Sequence, residues 1–454
     1  MKGYTLTGCG GIANATGANF LLRTPETDIL VDCGLVQGSH FAMDENRSAF
    51  PYDPTKVSHL FITHAHMDHI GRIPKLVKEG FSGTIHSTAE TKELAAIMLD
   101  DAQALLAREA RESGHDPLYG PDDIARALLL WRTYPYHEAF EVTKDVSAYM
   151  RDAGHILGSA IVELTLKGAG KKIAFTGDLG NSPTPLLRDT EYVTDADYMV
   201  IESVYGDRNH EPKDVRDAKL RDVLVNAVKR GGTVVIPAFS MERTQVILYA
   251  INNLIESGTL PEVPVFLDSP LAIKITQVYR SHTSNFNDKV KGEIRGGDDI
   301  FDFPGLRVVS SHQESESIIR VKGPKIIIAG SGMSVGGRVL HHERNYLSDP
   351  NATILLVGYQ VPGSLGRLIE ERASKIVIDG AYVKIRARID KISGFSSHKD
   401  SNNLVEFVSH AQPKLSTCFV AMGETKSSSF LAQRLRAELG VNAIVPEKNK
   451  EYSL

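Results

Sequence analysis

Short apolar runs of strand length open this chain, and helical stretches come to alternate with them further on. Residues 4–7, 18–23 and 28–32 read as strands, separated by turns that contain glycine or proline. Residues 57–63 alternate and are rich in strand formers, and residues 70–78 have helical spacing. Two longer helical stretches, about 91–112 and 121–131, read as packing helices over one face. Strands follow at 161–166, 172–178 and 198–201. From about residue 208 the texture changes. Helices at 214–230 and 243–257 alternate with apolar strands at 233–237, 263–267, 325–329 and 353–357, the pattern of a parallel sheet covered by helices. Residues 292–299, rich in Gly and Asp, read as a surface loop, and His341-His342 as a solvated helix face. From 376 the strand texture returns, at 376–379 and 383–389, with a helix at 402–410 and a last strand at 417–422. The expected organisation is α/β: a first domain over 1–207, an inserted α/β domain over 208–375, and the remainder of the first over 376–454.

Composition narrows this only a little. A chain of 454 residues that is 42% hydrophobic can bury two or three cores. A net charge of −5, with both signs mixed along the chain, makes any nucleic-acid binding a local property. The three cysteines, Cys9, Cys33 and Cys418, are odd in number and widely spaced, which argues against a disulfide framework and for a reducing, cytoplasmic setting. No signal-peptide core opens the sequence, and no apolar run reaches the length of a membrane span. Gly8-Cys9-Gly10-Gly11-Ile12-Ala13, with Asp32 downstream, fits a dinucleotide fingerprint. That fingerprint needs a helix directly after the glycines, and Asn14-Ala15-Thr16-Gly17 followed by another strand denies it one.

The chemistry concentrates in Thr63-His64-Ala65-His66-Met67-Asp68-His69. Four candidate ligands, His64, His66, Asp68 and His69, fall within six positions on a strand-to-helix loop, where their side chains can converge. Neutral imidazoles and a carboxylate suit zinc or a similar divalent ion. The pattern His-x-His-x-Asp-His resembles the signature of the metallo-β-lactamase fold, which implies three later partners: another His, a bridging Asp and a last His. His155, in Gly154-His155-Ile156-Leu157-Gly158, fits the first, although alone it would more often be structural. Asp178, after Thr176-Gly177 at a strand end, fits the second. The resemblance then implies one ion on His64, His66 and His155, another on Asp68 and His69, and Asp178 shared.

Nearly the whole chain is similar to the β-CASP branch of that superfamily. The further stretches are residues 31–38, Glu202-Ser203-Val204-Tyr205-Gly206, Ile236-Pro237-Ala238-Phe239 with Arg243, Asp268-Ser269-Pro270, Ser331-Gly332-Met333 with Gly336-Gly337-Arg338, and Ser396-Ser397-His398. The resemblance implies a metallo-β-lactamase αββα sandwich with an inserted α/β β-CASP domain. It also implies a zinc-dependent ribonuclease that hydrolyses RNA phosphodiesters with a zinc-activated water, in RNA processing or decay. Asp68, Glu202 and His398 would carry catalysis, with His398 as general acid oriented by Glu202. Arg243, Ser331 and Arg338 would touch the substrate. Manganese is the alternative to zinc, DNA the alternative to single-stranded RNA, and a homodimer is compatible with the sequence. A small-ester metallohydrolase and a weakly active RNA-binding relative are the other readings. One residue departs from the pattern. Met422, in Val420-Ala421-Met422-Gly423-Glu424, stands where the resemblance implies a histidine for the second ion, and a thioether is a poor zinc ligand. Cys418 lies about 13 Å away along the strand, so Glu424 is the substitute with the reach.

Overall fold

The computed structural model describes residues 3–38, 42–361 and 363–454. The chain forms two compact units, one running to Asn209 and resuming at His398–Leu454, the other spanning His210–Ser397.

In the first unit two seven-stranded sheets form. One runs in the order Glu451–Ser453, Thr5–Gly10, Asn19–Arg23, Asp28–Val31, Val57–Phe61, Thr84–Ser87, Trp131–Thr133. The other runs Ala443–Ile444, Thr417–Val420, Tyr198–Ile201, Lys171–Phe175, Ala160–Leu166, Val146–Asp152, Phe140–Glu141. Strand periodicity decides which side chains meet. Val146–Asp152 buries every second residue, as a strand with one covered face does. Phe20, Val31 and Phe61 of the first sheet share a core with Val162, Phe175 and Phe419 of the second. Within it the rings of Phe20 and Phe175 lie 6.2 Å apart. Outside the second sheet, Leu404 and Phe407 of the helix Ser401–Ser409 and Leu431 and Leu435 of Thr425–Leu439 pack on Met199 and Val420. Each such leucine, fully buried, contributes roughly 1.5–3 kcal/mol. The result is the αββα sandwich that the sequence led us to expect.

The second unit is built on a six-stranded sheet in the order Leu306–Val308, Val265–Asp268, Lys325–Ala329, Thr233–Pro237, Thr353–Leu356, Arg388–Lys391, parallel throughout. Its central strands are buried on both faces, which is why they read as continuous apolar runs. Three local expectations change. Residues 292–299 are not one loop: the helix Asp288–Arg295 runs through Gly292, started by Asn287, whose side chain accepts from the Val290 N–H at 3.0 Å. The single strand expected over 383–389 is two, Ala381–Lys384 and Arg388–Lys391. Between them the Arg386 and Ala387 N–H groups both reach the Leu347 carbonyl, and the chain passes from a two-stranded hairpin to the edge of the main sheet. His342 is not solvated. It is 1% exposed, and its Nε2 lies 2.6 Å from Oδ2 of the buried Asp268.

Candidate metal centre and active site

The fold brings the expected ligands of the first unit together from the ends of its strands. After Val57–Phe61 the chain carries His64 and His66 on a short loop, and Met67–Ile70 makes one helical turn holding Asp68 and His69. That turn is fastened from behind. The Ala18 N–H donates to the Asp68 carbonyl and the Cys33 N–H to the His69 carbonyl, each at 2.8 Å. Gly34 lets the backbones approach, since a Cβ there would lie 1.5 Å from the Asp68 carbonyl oxygen. His155 sits in the loop joining Val146–Asp152 to Ala160–Leu166, its N–H donating to Ser159 Oγ at 3.0 Å. Asp178 and Glu202 follow the parallel neighbours Lys171–Phe175 and Tyr198–Ile201. Gly177, at φ +53°, turns Asp178 inward where a Cβ would meet Thr63 at 2.6 Å. His398 pairs with Gly180 in an isolated antiparallel bridge.

The donor atoms of His64, His66, His155 and Asp178 all lie within 4.8 Å of one another. His66 Nδ1 is 3.0 Å from His64 Nε2 and 3.3 Å from His155 Nε2. Asp178 Oδ2 is 3.4 Å from the first of these and 3.5 Å from the second. A tetrahedral ion with ligands at 2.0–2.2 Å requires donor-to-donor edges of about 3.3–3.6 Å, so the cluster matches that polyhedron closely. Burial holds His64, His66 and His155 below the ordinary imidazole range, which keeps them neutral as ligands must be. Next to this set, His69 Nε2 and Asp178 Oδ1 are both buried without a hydrogen-bond partner among the described residues, and face each other at 3.5 Å. Two unpaired buried atoms of this kind are costly unless a cation lies with them. Asp68 Oδ2 is 4.0 Å from His69 Nε2. The residues therefore fit a divalent ion at the first position, and leave a sparser group at the second.

Asp32 is the site residue that sequence reasoning missed. Its carboxylate lies 2.8 Å from His69 Nδ1, and it accepts from the Thr63 N–H at 2.9 Å and the Thr63 hydroxyl at 2.8 Å. With the proton fixed on Nδ1, His69 presents Nε2 as a lone pair. The sequence signals at this position are an Asp at a strand end and its place in the stretch 31–38 that resembles the family, and neither names His69 as its partner. Glu202, 1% exposed, accepts from the Leu179 N–H at 2.6 Å and holds His398 Nδ1 at 3.2 Å. Burial opposes the His398 imidazolium, but the carboxylates of Glu202 and Asp178 outweigh it and raise the group to about 9.

Met422 follows the third parallel strand of this row, Thr417–Val420, two residues past its end and at φ +47°. It is buried in the inter-sheet core, and with His69, Asp32, Thr63 and Glu202 it lines a cavity with room for about one water molecule. Glu424, the expected substitute, turns away from this cavity. Glu424 is exposed at the N-cap of Thr425–Leu439, and Cys418 is packed in the outer core. Arg243, Ser331 and Arg338 belong to the second unit. Arg338 is bound to Asp268 and to the Val309 and Ser310 carbonyls, Arg243 to the Val357 carbonyl, and Ser331 to the Gly336 carbonyl and Val335 N–H.

An αββα sandwich with this histidine–carboxylate cluster at its strand ends defines a metallo-hydrolase. Family models agree along the chain: the metallo-beta-lactamase superfamily over residues 16–238, the Beta-Casp domain over 244–369, and the Zn-dependent metallo-hydrolase RNA specificity domain over 382–446. The ribonuclease TTHA0252 of Thermus thermophilus is 35% identical over 399 residues, covering 88% of this chain and 89% of that protein. An RNase J-like protein of Methanocaldococcus jannaschii is 33% identical, covering 94% of each. The transcription termination factor FttA of Methanosarcina mazei is 31% identical over 96% of this chain and 69% of its own. A crystal structure of a protein of unknown function from Enterococcus faecalis shares the fold alone, with a TM-score of 0.59 at 11% identity over 100% of both chains. The chain belongs to the β-CASP branch of the metallo-β-lactamase superfamily, and is a hydrolase with a metal cofactor.

Proposed function

We propose that this protein is a ribonuclease of the β-CASP type, hydrolysing phosphodiester bonds of single-stranded RNA in the cytoplasm during RNA processing or decay. The observation that carries the reading is the juxtaposition of the donor cluster with the Glu202–His398 pair on Asp178. His64, His66, His155 and Asp178 would hold one ion, zinc or manganese. Asp68 and His69, with Asp178, would hold a second, more weakly because Met422 adds no ligand. Bound divalent ions supply positive charge for the phosphoryl oxygens and acidify water near neutral pH. The chain's own groups do the rest. Asp68 orients the attacking water. Glu202 fixes the His398 ring through Nδ1, so that Nε2 hands a proton to the leaving oxygen. Arg243, Ser331 and Arg338 act on substrate by bracing the loops they hold.

Three relatives whose names mention ribonuclease or transcription termination, together with the RNA-specificity segment, support RNA over DNA. End-labelled RNA and DNA oligonucleotides of one sequence, offered to metal-loaded protein, test the reading. RNA should be cut in preference to DNA, and intact RNA beside cleaved DNA would overturn it.

A further inference from the structure

The second unit's sheet has a point where its connections part. From Thr233–Pro237 the chain crosses through the helix Arg243–Glu256 to Val265–Asp268, which lies beyond Lys325–Ala329. From Lys325–Ala329 it crosses through Val339–Tyr346 to Thr353–Leu356, beyond Thr233–Pro237. These adjacent strands therefore send their chains in opposite directions, and open parallel sheets bind ligands in the crevice at such a point, outside the carboxyl ends.

The residue at that point is Phe239. Most large apolar side chains of this unit are buried, but Phe239 is 40% exposed. Its neighbours make room for it. A Cβ on Gly332 would lie 3.0 Å from the ring carbon Cδ2, and one on Gly358 would lie 3.9 Å from Cε2. Tyr359, directly after Gly358, is 39% exposed. Around them the edge is polar: Ser240 Oγ and Ser269 Oγ stand 3.4 Å apart beside Gly330, and the Arg243 guanidinium lies against Gly358. Two rings are too little apolar surface to dock a protein, which needs a far larger buried area. The Arg243 guanidinium is buried and held by the Val357 carbonyl, so the rings are what this edge exposes, and exposed rings with a polar rim suit the planar bases of an unpaired strand.

We propose that Phe239, with Tyr359 beside it, is a stacking platform for unpaired bases of the RNA substrate. The assignment rests on the ribonuclease reading. Glycine at 332 and 358 keeps the ring on the backbone with a face open, and stacking selects unpaired bases because a duplex hides their faces. Bases from any sequence serve, since every base has a π-face.

Binding of a short fluorescein-labelled oligouridylate tests this in a His398→Ala background, which keeps the RNA intact. Phe239→Ala should weaken binding roughly 5- to 150-fold, Phe239→Leu should fall short as well, and Phe239→Trp should bind like the parent. The loss should vanish with an oligonucleotide whose bases are replaced by abasic sites, a readout that a merely structural role would not move. If Phe239→Ala and Tyr359→Ala both bind as the parent does, or if the loss persists with abasic RNA, the platform is wrong. RNA cleavage by wild-type protein tests the ribonuclease reading separately: cleavage with a failed platform sinks only the platform, and its absence sinks both.

Discussion

Asp32→Asn separates the geometry of the second ion position from that of the first. Asp32 has φ +59°, which asparagine tolerates, so the backbone need not move. The amide oxygen can keep the Thr63 N–H, now 2.9 Å from Oδ1. The NH₂ then occupies the place of Oδ2, facing the Thr63 hydroxyl and His69 Nδ1, each at 2.8 Å. A donor there forces the His69 proton onto Nε2, the atom that looks at Asp178 Oδ1 from 3.5 Å. Loss of such a carboxylate behind a ligating histidine typically lowers metal affinity roughly 10- to 100-fold, or about 1.4–2.8 kcal/mol. Replacing the charge-assisted bond should lower folding stability by no more than about 1.5–3 kcal/mol. Zinc titration of metal-free protein against a competing chelator reads both equivalents. The tighter one, on His64, His66 and His155, should be unchanged, and the weaker should drop by the stated factor. Two equivalents bound with wild-type affinities would refute the claim that Asp32 sets the tautomer of a ligating His69.

Other expectations follow from the same geometry. Met422→His should raise the zinc retained after gel filtration and lower the metal needed for half-maximal cleavage; if neither changes, Met422 does not border the second ion. His398→Ala should reduce turnover by roughly 10²–10⁴ with zinc content intact, and an unchanged rate removes His398 from proton transfer. In the second unit, burial raises Glu343 to about 8 against the hydrogen bond from Ser334. An unfolded glutamate titrates near 4.3, so across about pH 4.3–8 the folded state binds the extra proton. Its contribution is fully present below that window and is lost as pH rises through it. Glu343→Gln should flatten the decline of urea midpoints over this range, and an unaltered slope would contradict the assignment.

The cluster was legible because its ligands are named by short-range pattern and strand ends. His64, His66, Asp68 and His69 fall within six residues, Asp178 and Glu202 each follow an apolar strand, and His155 comes just before one. What stayed hidden depends on partners remote in sequence. His342 looked solvated because nothing near it announces Asp268, delivered by another strand. The support of His69 by Asp32 required knowing that Asp28–Val31 lies beside Val57–Phe61. Gly292 suggested a loop, and the Asn287 cap with the buried Val290 outweighed it. The compact units also meet later in the chain than strand texture indicated. The hairpin Lys375–Ile378 with Ala381–Lys384 and the strand Arg388–Lys391 lie in the second unit, because Arg388–Lys391 finds its hydrogen bonds on Thr353–Leu356.

The central claim is that the buried His64, His66, His155 and Asp178 cluster holds the metal with which this chain cuts RNA. Its most direct test is cleavage of end-labelled single-stranded RNA by chelator-stripped protein as zinc is returned in counted equivalents, beside His155→Ala. Without metal there should be no cleavage, and recovery should track bound zinc. The His155→Ala protein should fold but neither retain the first equivalent nor cut. Cleavage that survives stripping, or a His155→Ala protein that keeps its zinc and its rate, would contradict it.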